Sequence, residues 1–490
     1  MRVRVLTATV LATAATQAHA QQLNAALNET LTSDPQIAGA DAFVRAAEAG
    51  VEINRSARLP TVVLDANAQG QIGDTLYGAR RAGILNLSVR FDLPLYTGGE
   101  LTWRIRSSVA ALEAETARRD EFVNMRLSNT VARYASVYRD ERIAAARMSQ
   151  VSHVETLLTV TRARERGGAS TATDTLQATA RLAGSQAQLT IARALLTRSN
   201  EDLREITGTY FNATDDPEPP VVSERVIAGL PEHLASFPAI RFADALIAVA
   251  QANVRIARSE RAPKLYLSSM VQTGSDVAQS AANPSTFHTG MRIGFTLNLP
   301  LFQGGAPAAR VRQAQQILAM RQEDRRGAER QIVAEIRSQY GQLMALDAVI
   351  PELNRAIEAS RAALFGVETE IKIGTRSSLD ALNAQEEVTQ VEIQLAQVRQ
   401  QRLSLAYAIL GTMGELNPGE MARQRVGTSA PPTRTSSAFL APAAKIDKLD
   451  LWVWKGSQTW SLKPGNSATQ IVWSHTGRAS SAVAAALTSV

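Results

Sequence analysis

The chain has 490 residues, a formal net charge of +6 and no cysteine. Without cysteine there are no disulfides, no thiolate metal sites, no cysteine nucleophile and no lipid anchor on an N-terminal cysteine. Arg and Glu are scattered through helical segments, which indicates solvated helix faces rather than a nucleic-acid-binding patch, so no nucleic-acid partner is expected.

The N-terminus has the layout of an export signal. Arg2 and Arg4 precede a short uncharged stretch, and an A-x-A pattern at residues 18–20 is typical of a cleavage site. We therefore expect residues 1–20 to be a signal peptide and the mature chain to begin at Gln21. The uncharged stretch is too short for a transmembrane helix, which needs about 20 apolar residues.

The rest of the chain contains two copies of one unit. The motif DLPLYTGG recurs as NLPLFQGG, so that Pro94 aligns with Pro300 at a spacing of 206 residues. Upstream the spacing is 203 residues, as from Pro60 to Pro263. Matching spacings of this kind, with a small length change between Pro60 and Pro94, indicate an internal repeat. The predicted divisions after the signal are a first repeat (21–208), a connector (209–236), a second repeat (237–412) and a tail (413–490).

Each repeat predicts one β-hairpin. Apolar and polar residues alternate from Leu85 to Leu93 and from Met291 to Leu299, which is typical of a strand with one apolar and one polar face. A weaker strand precedes each of them. The predicted bounds are about Thr61–Gln71 and Lys264–Gly274 for the weaker strands, about 60–95 and 263–301 for the hairpins, and Gly73–Arg81 and Ser275–His288 for exposed loops.

A long helical hairpin follows each β-hairpin, at about 100–208 and 306–412. From Glu100 to Arg166 strong helix formers dominate, and a helix of that length reaches roughly 100 Å. Pro351 predicts a kink or a break in the second copy.

The helical hairpins are predicted to turn tightly, because glycines end the outgoing helices and capping-box patterns start the returning ones. The glycines are Gly167, Gly168 and Gly374, and the boxes are Thr171-x-x-Asp174 and Ser377-x-x-Asp380. The returning helices carry apolar residues at heptad spacing, which predicts coiled-coil packing. These residues are Val388, Val391, Leu395, Val398, Leu405 and Ile409, with Arg402 as the exception, and Leu182, Leu189, Leu196 and Leu203 in the first copy.

Two environments suit the amphipathic strands: a half-buried sheet on a soluble protein, or a transmembrane β-barrel with its polar face toward a lumen. Four strands cannot close a barrel, since the smallest bacterial barrels use about eight. A membrane location therefore requires an oligomer. The export signal, the two alike hairpins and the very long helices favour it.

Several segments together resemble the TolC family, the outer-membrane channels of bacterial efflux pumps and type I secretion systems. They are SDPQI, SARLPT, LREITGTYF, LNLPLFQGG and IGTRSSLDALNA. The resemblance covers about residues 22–415. It implies a mixed, mainly α fold in which a homotrimer forms one twelve-stranded outer-membrane barrel continued by a periplasmic helical tunnel. An equatorial belt would comprise about Thr209–Ser236 and the chain from Thr412 onward.

The same resemblance implies an exit duct that conducts drugs, other small molecules or proteins passively. Its partners would be outer-membrane lipid, a periplasmic adaptor and an inner-membrane transporter of the RND, ABC or MFS type. The alternative is a periplasmic coiled-coil scaffold, which needs no amphipathic hairpins and would be recovered in the soluble periplasm. No enzyme motif, metal-ligand spacing or P-loop is present, so neither catalysis nor a cofactor is expected.

The tips of the helical hairpins are the expected entrance. In TolC-like channels contacts between the two tips close it, and the resemblance places Thr173, Asp174 and Arg376 at the corresponding positions. Arg376 is expected either to pair with Thr173 or a neighbouring carbonyl, or to be a solvated surface arginine. The acids have a structural role as well, since an acid in a first helical turn completes the cap.

Two residues depart from the family pattern. Ile371 stands in place of a tyrosine, and Asn383 in place of a second aspartate, which leaves Asp380 as a single acidic ring. A less cation-selective and more loosely closed entrance is expected. The adaptor is expected in grooves near Gly168 and Gly374.

The doubled motif is expected to mark the junction of barrel and tunnel. Pro94 and Pro300 would end the strand ladder because proline has no N–H to donate. Tyr96 and Phe302 would lie in an interfacial aromatic girdle. The pairs Gly98–Gly99 and Gly304–Gly305 would permit the turn into a helix.

The tail is Ser/Thr/Pro/Ala-rich from about Gly427 to Lys445, which predicts disorder. Beyond it lie four of the five tryptophans, Trp452, Trp454, Trp460 and Trp473. A β appendage, a partner-binding patch and a non-native extension all remain open for this segment.

Overall fold

The computed structural model describes residues 22–75, 78–211, 218–276, 287–373 and 375–416. The expected signal peptide, Gly374 and the tail beyond Leu416 lie outside these ranges, and with the tail the tryptophans that it contains.

The described chain is mainly helical and consists of two repeats of helix, β-hairpin and helical hairpin, as predicted. Its elements are α1 (22–33), α2 (Pro35–Ser56), β1 (Thr61–Thr75), β2 (Gly78–Tyr96), α3 (Glu100–Arg166), α4 (Ala172–Thr207), α5 (Glu224–Ala228), α6 (Leu230–His233), a 3-10 turn (Leu234–Ser236), α7 (Pro238–Ser259), β3 (Lys264–Asp276), β4 (Phe287–Asn298), α8 (Ala306–Lys372) and α9 (Ser378–Met413).

The two longest helices, α3 and α8, have 67 residues each, which corresponds to roughly 100 Å. Each begins after a glycine of positive φ, Gly99 or Gly305. A kink or a break was predicted at Pro351; the helix α8 continues through this residue, so there is no break. Packing on both sides of the proline supports the helix there, since Leu343 and Ile357 are buried.

All four strands form one antiparallel sheet in the order β1-β2-β3-β4. The strands β1 and β2 pair from Thr61–Asp92 to Thr75–Gly78, so most of the predicted loop Gly73–Arg81 is strand. In the predicted loop Ser275–His288, strand covers both ends and residues 277–286 lie outside the described ranges. Near the glycines the sequence no longer alternates between apolar and polar residues, so it did not predict a strand there. The backbone pairing nevertheless continues.

The prediction that Pro94 ends the ladder is wrong on one side. Pairing of β2 with β1 does end at Asp92, but pairing with β3 continues to Tyr96 through a bulge between Pro94 and Tyr96. Pro94 itself lies opposite Tyr266, and the extra residue of the bulge is Leu95. In the second copy β4 ends at Asn298, before Pro300.

Two apolar clusters hold the helices together, one built mainly from the first repeat and one from the second. The first comprises Leu23, Leu27, Leu127, Val131, Tyr134, Leu203, Leu403 and Tyr407 among others. The second includes Leu230, Phe237, Ile240, Ile332, Ile336, Leu343, Ala406, Ile409 and Met413. Because α9 contributes to both clusters, it packs between α3 and α8.

The buried face of α9 is therefore wider than the heptad seam. Val388 and Ile409 are buried as the seam requires, but the other four seam residues are only half-buried. Ile393, Leu403 and Tyr407 are buried instead. The exceptional Arg402 pairs with Asp347 of α8.

An ion pair joins the short helix to the long helix at equivalent positions of both repeats. In the first, Arg119 Nε lies 2.8 Å from Asp41 Oδ1. In the second, Arg325 pairs with Asp244. The repeats thus share geometry as well as sequence.

The junction glycines give a matched test of the turn. Gly98 (φ +63°) and Gly304 (φ +57°) are equivalent, but a Cβ on Gly98 would lie 2.2 Å from Ala262 Cβ, whereas a Cβ on Gly304 would meet nothing within 4 Å. Both alanine variants incur the left-handed penalty of roughly 1–2 kcal/mol. Gly98→Ala adds a clash inside the chain, so its thermal unfolding temperature in detergent should fall by more than the left-handed penalty alone predicts. A fall no larger than that penalty predicts would contradict the close approach at Gly98.

Candidate functional site

The first helical tip, where α3 turns into α4, is a tightly bonded turn. Ala169 N donates to Arg164 O at 2.8 Å and Gly168 N donates to Glu165 O at 2.9 Å, with Gly168 at φ +73°. This is a Schellman motif, which needs a left-handed residue at its centre. Gly167 is the residue immediately after α3.

The returning helix starts at a reciprocal cap. Thr171 Oγ1 accepts from Asp174 N at 3.2 Å, and Thr171 N donates to Asp174 Oδ2 at 2.9 Å. The Asp174 carboxylate also accepts from Ser170 Oγ. These hydrogen bonds, from the Thr171 N–H first and then the Ser170 and Thr171 side chains, lower the pKa of Asp174. The Asp174 carboxylate is therefore an anion, and the hydrogen bonds of the helix cap hold it in place.

The second tip repeats this arrangement in the residues that are described. Thr375 N donates to Glu370 O at 3.0 Å, which corresponds to the Ala169 bond in the first tip. Ser377 and Asp380 form the second capping box, with Ser377 Oγ 2.9 Å from Asp380 Oδ2. Both predicted boxes are thus present.

The two tips touch through a residue that the sequence did not single out. Arg164 Nη1 donates to the carbonyl oxygen of Ile371 at 3.0 Å, and Ile371 is only 5% exposed. Arg376 pairs with Glu370 of its own tip at 2.8 Å, so within one chain it does not contact Thr173. Thr173 and Asn383 are exposed.

A second contact between the repeats lies further from the tips. Arg147 Nη1 lies 3.4 Å from Glu386 Oε1, and Gln150 donates to the same carboxylate. Nearby, an apolar cluster joins α3, α4 and α9 through Val154, Leu158, Ala178 and Leu382. No local pattern predicts the contacts that α9 makes here, because Glu386 and Leu382 lie about two hundred residues or more from their partners in the chain.

At the other end of the helices, the sheet exposes one continuous apolar face. The register places Val62 opposite Phe91 and Leu265 opposite Leu297. Leu297 is 65% exposed and Phe295 70%. The residues of this face are Val62, Leu64, Ala66, Leu87, Val89, Phe91, Leu93, Leu265, Leu267, Val271, Met291, Ile293, Phe295 and Leu297.

The opposite face of the sheet is mainly polar. It carries the pair Arg90 and Asp65, whose side-chain atoms lie 3.4 Å apart. Further along are Asn86, Ser88, Asp92, Ser268, Gln272, Arg292, Thr296 and Asn298. One apolar and one polar face is the arrangement that suits a boundary between lipid and a water-filled lumen.

The outer strands of the sheet each have an unused edge. In the described chain β1 pairs only with β2, and β4 pairs only with β3. Long, exposed edges of this kind readily pair with another strand.

The doubled motif runs from the end of a strand to the start of a long helix in both repeats. Tyr96 and Phe302 are exposed, Phe302 by 89%. All four motif glycines, Gly98, Gly99, Gly304 and Gly305, have positive φ.

No group of three or more metal-ligating side chains is assembled among the described residues. Within the same ranges, no single helix has the length and apolar character to cross a membrane, and one bent pair, Leu230–Ser236 with Pro238–Ser259, passes both tests.

Known proteins share this architecture. The outer membrane efflux protein family model matches the chain twice, at residues 26–209 and 229–415. The chain is 27% identical over 421 residues to the outer membrane efflux protein BepC of Brucella suis biovar 1, covering 82% of this chain and 88% of BepC. It is 26% identical over 387 residues to the outer membrane protein TolC of Vibrio cholerae serotype O1, covering 76% and 86%.

Among solved structures, the outer-membrane channel OprN has a TM-score of 0.69 with 21% identity, covering 81% of this chain and 90% of OprN. At this identity the similarity concerns the fold alone. The two family matches leave out residues 210–228, within the connector, and together extend over most of the described residues, one on each repeat. On that basis the chain is a member of the outer membrane efflux protein family.

Proposed function

We propose that three copies of this chain form a passive exit duct in the outer membrane. Each would contribute four strands to a twelve-stranded barrel, and the helices would form a tunnel in the periplasm. The observation that carries the proposal is the four-stranded sheet with an exposed apolar face and two unused edges. A barrel removes both edges and places the apolar face against lipid.

The internal repeat supports a ring of copies. Within one chain β2 pairs with β3, and α3 packs against both α7 and α9. The second-repeat counterparts of β2 and α3 are β4 and α8. The first-repeat counterparts of β3, α7 and α9 are β1, α2 and α4. A second copy that repeats this contact would place its β1, α2 and α4 against β4 and α8 of the first.

Each copy would then use two different surfaces, a head-to-tail contact that generates a ring if the rotation closes. Two copies would give eight strands, and a barrel of that size has an interior filled by side chains. An open duct therefore needs at least three copies, which is the number that the resemblance to the TolC family implies.

The repeat also predicts the strand register between copies. Within the chain Phe91 lies opposite Ser269. The repeat spacing converts this pair into Leu297 of one copy opposite Ala66 of the next, and both residues lie on the apolar face. The proposed register therefore keeps the two faces of the sheet continuous around the barrel, as one buried face requires.

The helical tips are the proposed periplasmic entrance. Asp174 and Asp380 would recur as rings around the axis, and a ring of carboxylates favours cations. Arg376, Thr173, Asn383 and Ile371 are the neighbouring residues of the proposed constriction. The adaptor would dock near Gly167, Gly168 and Gly374, where the turns are glycine-rich.

Substrate would arrive from an inner-membrane transporter of the RND, ABC or MFS type through the adaptor. The duct itself performs no chemistry, and both drug efflux and type I secretion suit a passive tunnel. The competing function, a coiled-coil scaffold, does not explain why the sheet has an exposed apolar face.

Cysteine cross-linking tests the arrangement, because the chain contains no cysteine. Leu297→Cys with Ala66→Cys in one chain should form covalent dimers and trimers on oxidation in membranes, since directly opposed residues have Cβ atoms about 4.5–5.5 Å apart. Non-reducing electrophoresis reads the products.

The matched control is Leu297→Cys with Asp65→Cys. It differs by one residue, and one residue places the second thiol on the other face of the sheet. Cross-linking in the control alone, or ladders that extend beyond three copies, would contradict the proposed ring.

The contact between Arg164 and Ile371 predicts a more open entrance when it is lost. A hydrogen bond to a charged group contributes about 1.5–3 kcal/mol. Arg164→Ala should therefore shift the open-to-closed ratio on the order of tenfold, seen as larger conductance in planar bilayers. Arg162→Ala, which removes an exposed arginine two residues earlier, should leave the conductance unchanged. If the two variants behave alike, the contact does not hold the entrance.

The acidic ring predicts a loss of cation preference in Asp380→Ala. Measured in planar bilayers, this variant should be less cation-selective and less sensitive to block by multivalent cations, because the charge of the Asp380 ring is gone and only that of Asp174 remains. Ser377→Ala weakens the same cap but keeps the carboxylate, so its selectivity should persist. Unchanged selectivity and block in Asp380→Ala would contradict an acidic ring at this position.

A further inference from the structure

Four arginines of the first repeat recur at equivalent positions of the second, all within about two helical turns of the junction. The pairs are Arg55 and Arg258, Arg58 and Arg261, Arg104 and Arg310, and Arg106 and Arg312. We call these residues the arginine collar. Every one of them is exposed in the single chain.

Contacts place the four collar segments side by side. Arg58 Nη2 donates to Thr102 Oγ1 at 2.8 Å, which joins the end of α2 to the start of α3. Arg310 Nη1 lies 2.8 Å from Glu260 Oε2, which joins the start of α8 to the end of α7.

The two halves of the collar meet at Trp103. The guanidinium carbon of Arg106 lies 4.4 Å from the Trp103 ring centroid, and that of Arg255 on α7 lies 5.5 Å from it. The collar is therefore one continuous belt across both repeats.

The belt carries excess positive charge. Within residues 54–60, 98–107, 254–264 and 304–313, the only acidic residues are Glu100 and Glu260. Both already have basic partners, Glu100 in Arg104 and Lys264, and Glu260 in Arg310.

The other collar arginines have no acidic partner among the described residues, and their exposed guanidinium groups are available to an external anion. Planar guanidinium groups bind phosphate oxygens in a bidentate manner, which suits Arg better than Lys.

The position of the collar indicates which anion it would bind. The apolar face of the sheet ends in an exposed apolar rim, and the collar follows directly. The rim residues are Leu59, Leu95, Tyr96, Leu299, Leu301 and Phe302. Apolar surface, aromatic side chains and then basic side chains is the order in which a protein meets acyl chains, the interface and headgroups.

We propose that the arginine collar binds the phosphate groups of anionic phospholipids in the leaflet that faces the helices. The proposal rests on the proposed function, because it requires the sheet to lie in a membrane. The collar would fix the depth of the barrel in the membrane, and each basic residue near an anionic surface strengthens attachment about fivefold.

Lipid competition tests this binding. Full-length protein purified in neutral detergent is mixed with equal amounts of phosphatidylglycerol and phosphatidylcholine, and native mass spectrometry reports which lipid is retained. The wild type should retain phosphatidylglycerol preferentially. The combined variant Arg55→Gln, Arg106→Gln, Arg258→Gln and Arg312→Gln should lose this preference at least about tenfold, since it removes two repeat pairs that have no acidic partner.

A matched control removes the same charge elsewhere. It combines Arg181→Gln, Arg193→Gln, Arg330→Gln and Arg337→Gln, at exposed positions away from the junction, and it should keep the preference. The milder variant Arg258→Gln with Arg312→Gln should lose an intermediate part of the preference, which keeps the test valid if the fourfold variant folds poorly.

Two outcomes would overturn the collar: equal retention of both lipids by the wild type, or an unchanged preference in the collar variants. If the collar variants show the second outcome together with altered ion selectivity, the arginines lie in the lumen. Conductance in phosphatidylcholine bilayers, measured in parallel, tests the duct separately. If the wild type conducts but shows no lipid preference, only the proposed lipid binding is wrong. If the wild type never conducts, the proposed duct is wrong.

Discussion

A four-stranded sheet with two unpaired edges and an exposed apolar face is incomplete, and the rest of the molecule depends on how it is completed. Unpaired N–H and C=O groups cannot stay in lipid, where no water satisfies them. In the proposed duct the edges of β1 and β4 and the apolar face that includes Leu297 therefore have to be covered together. A closed ring of copies covers all three at once, and the long helices attached to each hairpin then surround a common axis.

The two repeats share a framework but have diverged where they meet. The helix-to-helix ion pair and both capping boxes occur in each repeat. At the tips, however, the counterpart of Arg164 is Glu370, which cannot donate a hydrogen bond to a carbonyl. The contact that joins the tips within a chain therefore has no equivalent between copies. In this proposal the seams between copies are the weaker part of the closed entrance.

Local signals in the sequence predicted the hairpins, the long helices and the capping boxes at Thr171 and Ser377, because each depends on residues close together in the chain. They did not predict the pairing of β2 with β3 or the packing of α9 between α3 and α8, which depend on residues far apart. Pro94 did not end the pairing of β2 with β3, and Pro351 did not end α8, because strand pairing and helix packing continue on both sides of each proline. The contact of Arg164 with Ile371 was not predicted either, because the two residues are far apart in the chain.

In the proposed duct, one chain closes onto the next through a seam that repeats the seam within it. A cryo-electron microscopy map of the full-length protein in lipid nanodiscs would show this seam. We expect three copies around a continuous twelve-stranded barrel, with Leu297 of each copy opposite Ala66 of the next. A two-fold arrangement, or sheets whose β1 and β4 edges remain unpaired in the membrane, would contradict it.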